Sequence, residues 1–296
     1  NSNVPAGMPG ANISTYGYSP FIYIYDCDGN IVSRIIIYTG AFLCINDMEI
    51  TSNNYLNFPP NSSGQKIFGI HLVGLTDLYQ IPGMPTFGPT FPKTLQNFDA
   101  FYERIRVNFG SINSPYSPPI ATADKGFRFG SDFIGASNTP ADDIAYSIKK
   151  INDQDFIIAG ASNGLFFNGA PSSPNPAPLQ ATRSTPSVIQ SDGFILKVDV
   201  SQNAASAYPR PPLTAFTYYG GSGDDLIYSV DLDANNKISF CGTTSSTDLF
   251  ASRKTMNYTT GGLSTYFNTS PHLSFYTYRN DAFVGQLKTD FSNTIW

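Results

Sequence analysis

Charged side chains are scarce in this chain, and their scarcity excludes several classes of protein. Only 17 Lys and Arg and 22 Asp and Glu occur among 296 residues, which is 13% charged against roughly 25% in an average soluble domain. A net charge of -5 is atypical of a nucleic-acid binder, because neutralising phosphates requires clustered Lys and Arg. The chain also lacks the excess of Ala, Glu, Lys and Leu that characterises helical bundles and coiled coils.

Long apolar runs and familiar catalytic motifs are also missing. No run of about 18 apolar residues occurs, so no transmembrane segment is predicted. No signal peptide is visible, and the first residue is Asn1 rather than Met, which indicates a processed chain or a fragment. HExxH, CxxC, GxSxG, P-loop and Rossmann motifs are absent, so no zinc site, nucleotide site or enzyme active site is predicted.

Cysteine and histidine are too few to build a framework. Three cysteines leave two alternatives open: Cys27 pairs with Cys44 while Cys241 stays free, or all three are reduced. His71 lies in the alternating stretch FGIHLVG and is interpreted as a residue packed in the core or between neighbouring sheets.

Aromatic and turn-forming residues are abundant instead. Phe, Tyr and Trp make 14% of the chain, which is more than a disordered protein carries, and 25 Gly and 22 Pro exceed the usual ~7% and ~5%. The composition therefore predicts an all-β protein with many turns and a substantial core. Low charge combined with much Ser, Thr and Asn is typical of secreted, cell-surface or particle-surface proteins.

An internal repeat organises the second half of the chain. Asp142 to Ser162 (DDIAYSIKKINDQDFIIAGAS) aligns without a gap with Asp224 to Thr244 (DDLIYSVDLDANNKISFCGTT), at an offset of 82. A second element, Asp-x-Phe followed by alternating residues, begins at Asp99, Asp192 and Asp281, and SPFIYIYDC from Ser19 is a fourth copy. Each unit predicts two hairpin-forming strands, a third strand at the Asp-x-Phe element, and a fourth, seen as Leu213–Tyr219. The first two strands are predicted at Ile144–Ile151 and Phe156–Gly160, and again at Leu226–Leu232 and Ile238–Gly242. Asp28-Gly29 and Asn235-Asn236 are the predicted turn residues.

Repeated four-stranded units are typical of β-propeller blades. The predicted units are a partial blade at 19–44, a degenerate blade at 45–135, a blade at 136–221 and a blade at 222–296. About four blades would leave unpaired edges, so the fold predicted is a partial propeller that continues beyond Trp296 or is completed by a neighbouring subunit.

The segment from Gly220 to Ser246, followed by DAFVGQLKT from Asp281, resembles the SBBP β-propeller repeat of microbial surface and secreted proteins. The similarity is good over Gly220–Leu287, fair over Gly135–Val200 and weak over 19–135. The resemblance implies a propeller and a scaffold or binding role, but no particular reaction. Unlike the family's short repeats, two connections here run to about 30 and 36 residues, from Asn163 to Ser191 and from Ser245 to Asn280.

The repeated carboxylates allow two interpretations. Gly220 to Tyr228 fits the calcium nonapeptide G-G-x-G-x-D-x-U-x, which makes Asp224 and Asp225 weak calcium candidates. Because that motif binds calcium as tandem copies and occurs once here, the alternative is a turn between blades in which Asp accepts backbone N–H bonds. The three aspartates that open Asp-x-Phe are likewise interpreted as structural, since they recur once per unit.

The second long connection is the predicted binding loop. It contains Tyr and Phe beside Ser and Asn, as adaptable recognition surfaces do; its candidate contact residues are Tyr258, Tyr266, Phe267, His272, Phe275, Tyr276 and Tyr278. Four sequons make glycosylation candidates of Asn12, Asn61, Asn257 and Asn268.

The function expected is that of a non-catalytic structural module, at a cell surface or in a virion or filament, that contacts other protein subunits. The alternative is a recognition module that binds a glycan or a host or cell-surface protein through its long loops. No cofactor is predicted apart from the weak calcium candidate, and no nucleic-acid partner.

Overall fold

A computed structural model describes residues 20–37, 43–51, 67–76, 98–108, 120–130, 133–134, 139–164, 180, 190–201, 213–246, 281–289 and 291. These residues form β-strands, turns and irregular segments without a helix, so none of them lies in a helix of the length and apolarity that crossing a bilayer requires. The strands are β1 Phe21–Tyr25, β2 Ile31–Ile36, β3 Leu43–Thr51, β4 Ile67–Thr76, β5 Asp99–Asn108, β6 Ile120–Phe129, β7 Phe133–Ile134, β8 Thr139–Pro140, β9 Asp143–Lys150, β10 Asp155–Ser162, β11 Asp192–Asp199, β12 Leu213–Tyr219, β13 Asp225–Leu232, β14 Ile238–Thr244 and β15 Asp281–Leu287.

The strands form antiparallel meanders in which chain neighbours are also sheet neighbours. We name the pair β1–β2 the hairpin sheet, β3–β4–β5–β6 sheet I, β9–β10–β11–β12 sheet II and β13–β14–β15 sheet III; β7 and β8 form a further small pair. The predicted all-β class and four-stranded antiparallel sheets are confirmed. The described residues show no closed ring, so the propeller and its unit boundaries stay predictions.

Each of sheets I to III repeats the same local irregularity. A β-bulge interrupts the first strand at Asn46, Tyr146 and Tyr228, and the partner strand carries a glycine at that level: Gly74, Gly160 or Gly242. The glycines are required because a Cβ at each would overlap a carbonyl oxygen of the first strand and crowd the ring of Phe101, Phe194 or Phe283. Sheet I, whose sequence repeat is degenerate, therefore has the same construction as sheets II and III.

The sheets stack in chain order, face against face. We call the face that meets the next sheet the front face and the face that meets the preceding sheet the rear face. Strand β9 lies against β3, β4 and β5, and β13 lies against β9, β10 and β11. The hairpin sheet covers the rear face of sheet I with the front-facing side chains of Ile22, Ile24 and Ile35.

Three apolar clusters fill the spaces between these layers. Their central members, from the hairpin end onwards, are Leu72, Phe101 and Ile105; then Tyr102, Phe127, Phe156 and Phe194; then Ile157, Ile195, Tyr219, Phe240 and Phe283. Within β11, Phe194 belongs to the second cluster and Ile195 to the third. The period of two along each strand therefore supplies both faces of a sheet that is buried on both sides.

Two predicted turns are present and share one construction. In the first, Gly29 has φ +83° and the Asp26 carboxylate accepts the amides of Asp28 and Asn30. In the second, Asn236 has φ +59° and Asp233 accepts in the same way from Asn235 and Lys237. Of the strands predicted with bounds, β12 has the expected ones, β9, β10 and β13 begin one residue earlier than expected, and β10 and β14 end two residues later.

Candidate functional site

The acid pair Asp224-Asp225 joins sheet III to sheet II. Asp224 Oδ1 accepts a hydrogen bond from the Ser191 amide at 2.8 Å, and the Asp225 amide donates to the Ser191 carbonyl at 2.7 Å. Ser191 directly precedes β11, so these two bonds connect the start of one sheet's first strand to the start of the preceding sheet's third strand.

The earlier acid pair makes the same joint between sheets I and II. Asp142 Oδ1 accepts from the Phe98 amide at 2.9 Å, and the Asp143 amide donates to the Phe98 carbonyl at 2.8 Å. The sequence repeat at offset 82 is therefore also a repeat of inter-sheet hydrogen bonding. Because the joint needs an acceptor at the first position and a backbone N–H at the second, it explains why an acidic residue recurs there.

Both calcium candidates accept hydrogen bonds from the protein itself, Asp224 in this joint and Asp225 in a turn. The Asp225 carboxylate is fully buried, and its Oδ2 accepts from the Gly221 amide at 2.7 Å and the Ser246 hydroxyl at 2.6 Å. In the described part of the chain, no three His, Cys, Asp or Glu side chains approach closely enough to hold a metal ion. These hydrogen bonds are the ones that the alternative interpretation, a turn between blades, predicts. The calcium candidate itself stays a prediction.

The aspartates that open the Asp-x-Phe elements lie at the same register of three different sheets. Asp99, Asp192 and Asp281 face Thr76, Ser162 and Thr244 across the ladder. Their surroundings differ: Asp99 pairs with Arg128, Asp192 is buried and accepts from Gln180 Nε2 at 2.9 Å, and Asp281 is exposed. This placement distributes the three carboxylates instead of gathering them in one site.

Polar side chains link the first strands of the three sheets. Ser147 on β9 donates its hydroxyl to Asp47 Oδ2 on β3 at 3.0 Å and accepts from the Val230 amide of β13 at 3.3 Å. Two residues further along β9, the Lys149 ammonium lies 3.2 Å from the Glu49 carboxylate and 3.5 Å from that of Asp231. The hydrogen bond and the charge of Glu49 raise the pKa of Lys149. The Lys149 side chain is 40% exposed, so these ion pairs contribute little to stability.

His71 lies between sheets I and II, within the predicted alternatives. Its Nε2 lies 2.9 Å from the Thr51 hydroxyl, its Nδ1 lies 2.8 Å from the Tyr102 hydroxyl, and its ring is 4.2 Å from that of Phe156. Burial above all, then the positive charges of Arg104 and Lys150, lowers its pKa to about 3. His71 is therefore a neutral, hydrogen-bonded packing residue near neutral pH.

Glu103 is a buried acid that the sequence interpretation did not single out. Its side chain lies on the rear face of sheet I, between those of Phe101 and Ile105 along β5. Across the ladder, Glu103 is opposite Leu72 on β4 and Gly126 on β6. It is 2% exposed, and its Oε2 has no hydrogen-bond partner among the described residues. Loss of hydration raises its pKa to about 7. The signal was present in the alternation of DAFYERIRV, which places Glu103 on the face of Phe101.

The two ends of the stack are open. Phe21 is the phenylalanine of the fourth copy of the Asp-x-Phe element, and it is 61% exposed. The corresponding Phe101, Phe194 and Phe283 are buried. At the other end, Val284 follows Phe283 and is 56% exposed. The difference arises because no described sheet covers the rear of the hairpin sheet or the front of sheet III.

The open faces carry apolar and aromatic side chains. The rear of the hairpin sheet presents Phe21, Tyr23, Tyr25 and Ile36, of which Tyr25 is 55% exposed. The front of sheet III presents Val284 and Cys241 beside the polar Ser229, Asp231 and Thr243, and at the level of Cys241 sheet II has the buried Ala159. Exposed apolar side chains gathered on one face mark interaction surfaces.

Several predicted site residues lie outside the described residues. They are the whole set of loop contacts, Tyr258, Tyr266, Phe267, His272, Phe275, Tyr276 and Tyr278, and the four sequon residues, Asn12, Asn61, Asn257 and Asn268. Of the two cysteine alternatives, the structure has the second: Cys27, Cys44 and Cys241 are all free thiols.

Comparison with known proteins adds no family to this picture. No protein-family model matches the chain, and a search of curated proteins finds no similar sequence. The resemblance of Gly220–Leu287 to the SBBP repeat therefore stays a prediction.

Proposed function

We propose that this chain is a non-catalytic structural module, of propeller type, that contacts other proteins in a cell-surface or particle-surface assembly. The observation that carries the proposal is the pair of open end faces. On these faces Phe21 and Val284 are exposed at positions whose counterparts in sheet II, Phe194 and Ile195, are fully covered. Covering a sheet face of this kind with another sheet is favourable, by about 25 cal/mol per Å² of apolar area removed from water.

The repeated acids favour a structural role over catalysis. The carboxylates of Asp142 and Asp224 hold inter-sheet amides, and the Asp225 carboxylate closes a turn. Catalytic acids, by contrast, must face a substrate across an accessible cleft. These three acids of the repeated pairs therefore act as acceptors for backbone amides.

Glycan recognition is the second candidate, and one observation favours it. Phe21, Tyr23 and Tyr25 form an aromatic row on the rear of the hairpin sheet, with Phe21 and Tyr25 exposed and Tyr23 partly so. The first two rings meet edge to face at 73°, and the next two are tilted by 40°. Sugars stack on aromatic rings, so this row offers a surface for a glycan, although the angles between the rings leave no single flat platform and make this the second candidate.

Site-specific photo-crosslinking in the native assembly tests the proposal. A photoreactive phenylalanine analogue is placed at position 21 or at position 284, with Thr214, an exposed residue of β12 on neither end face, as the control position. We expect protein cross-links from positions 21 and 284 and few from 214. Equal labelling at all three positions would refute a contact role for the end faces, and attachment of glycan alone would favour the second candidate.

A further inference from the structure

We propose that the two open faces bind each other in different copies of the chain: the front of sheet III in one copy covers the rear of the hairpin sheet in the next. This inference rests on the proposed contact function and names the partner as a second copy of this chain. It predicts a head-to-tail association in place of a two-fold symmetric dimer.

The first argument is the direction of the stack. At each joint within the chain, the face that carries the phenylalanine of the Asp-x-Phe element meets the preceding sheet, since Phe101, Phe194 and Phe283 lie in the clusters shared with it. The open faces are one of each kind: a rear face with Phe21 at the hairpin end and a front face with Val284 at the sheet III end. A second copy placed by the same stacking step repeats this pairing of faces, through the two hairpin strands instead of a first strand such as β9 or β13, whereas a symmetric dimer would bring two rear faces or two front faces together.

The second argument is the chemistry of matched positions. At the joint of sheets II and III, Phe283 on a rear face packs in the same cluster as Ile195 on a front face. In the proposed contact, Phe21 takes the place of Phe283 and Val284 takes the place of Ile195. Both pairs join an aromatic ring to a β-branched side chain, so the exposed residues have the shape and polarity that the internal joint requires.

The charges on the two faces have opposite signs. Arg34 pairs with Tyr23 across the hairpin ladder and therefore shares its rear face. Asp231 lies opposite Ser239 on the front of sheet III; its side chain is 71% exposed and also reaches Lys149 of sheet II at 3.5 Å. A cation on one face and an anion on the other, the latter partly offset by Lys149, favour approach of unlike ends over approach of like ends.

The hairpin sheet is small, which limits the expected strength of the contact between two copies. Two strands of about six residues cover a footprint of roughly 20 by 10 Å, or about 200 Å². A stable interface buries about 800 Å² on each partner. The contact at this face is therefore expected to be weak and reversible, with association that grows as protein concentration rises. Because the interface is head to tail, it yields short chains or rings, according to whether the rotation between copies closes.

Sedimentation velocity over a concentration series tests the contact. We expect the full chain to shift from monomer to larger species as concentration rises. Phe21→Asp or Val284→Asp should lower the association constant at least tenfold. Thr214→Asp adds the same charge on an exposed strand away from both faces and should associate like the unchanged chain. Circular dichroism checks that each variant is folded, and Tyr25→Asp replaces Phe21→Asp if the latter is not.

Mixing the two face variants decides the geometry. Phe21→Asp keeps an intact sheet III face, and Val284→Asp keeps an intact hairpin face, so a mixture can form one contact and should stop at a one-to-one dimer. A mixture that stays monomeric, or a chain that is monomeric up to about millimolar concentration, would overturn the inference. If self-association fails while position 21 still cross-links a different protein, only this inference is wrong; if cross-linking also fails, the proposed contact function is wrong too.

Discussion

Replacing Glu103 with glutamine tests whether a buried carboxyl limits the stability of this fold. Burial raises the pKa of Glu103 from 4.5 to about 7, because the rear of sheet I removes it from water. Between these two pH values the unfolded chain releases a proton that the folded chain keeps. Stability is therefore lost as pH rises through this window, by about 1.4 kcal/mol per pH unit and about 3 kcal/mol in total.

Glutamine has the same shape and does not ionise, so Glu103→Gln should escape this loss. Urea unfolding at several pH values measures it: the stability gap between the variant and the unchanged chain should widen by about 3 kcal/mol from pH ~4.5 to ~8. The effects of the other carboxyl groups cancel in this difference. Glu49→Gln, at the partly exposed partner of Lys149, controls for the removal of one negative charge. A gap that stays constant across this pH range would refute the reasoning.

Two further predictions concern the repeated elements. Gly160→Ala should destabilise the protein by about 3 kcal/mol in urea unfolding, because its Cβ would overlap the Ile144 carbonyl oxygen, whereas Thr214→Ala on an exposed edge should change stability by no more than about 0.5 kcal/mol. Equal effects would show that the bulge does not need its glycine. Asp224→Ala should lower the free energy of unfolding by about 1 kcal/mol and speed hydrogen exchange of the Ser191 amide. Neither calcium nor a chelator should change the melting curve of the unchanged chain or of the variant. A calcium-dependent rise in melting temperature that Asp224→Ala abolishes would support the calcium site instead.

Much of the local structure was predictable because it depends on neighbours in sequence. Alternation along the Asp-x-Phe elements predicts β5, β11 and β15, and Gly29 and Asn236 lie in the predicted turns. Sheet I was harder to delimit. Its first strand lacks the acid pair that marks β9 and β13, and the similarity that remains, a glycine and a phenylalanine packed together, is visible only in three dimensions.

The candidate site depended more on packing between distant segments. Alternation places Phe21, Tyr23 and Tyr25 on one side of a strand, but it does not predict whether a sheet covers that side. The same residue type is buried at Phe194 and exposed at Phe21, since coverage depends on the stacking of sheets that are far apart in the chain.

By itself, the sequence determined an all-β chain of repeated antiparallel strands, its turns and the positions where acids recur, because each depends on residues a few positions apart. Only the tertiary structure decided that Asp224 and Asp225 join two sheets, that Glu103 lies in an apolar layer, and that the stack has two open ends. Those properties depend on which sheet lies against which, and contacts between sheets are made by residues distant in sequence.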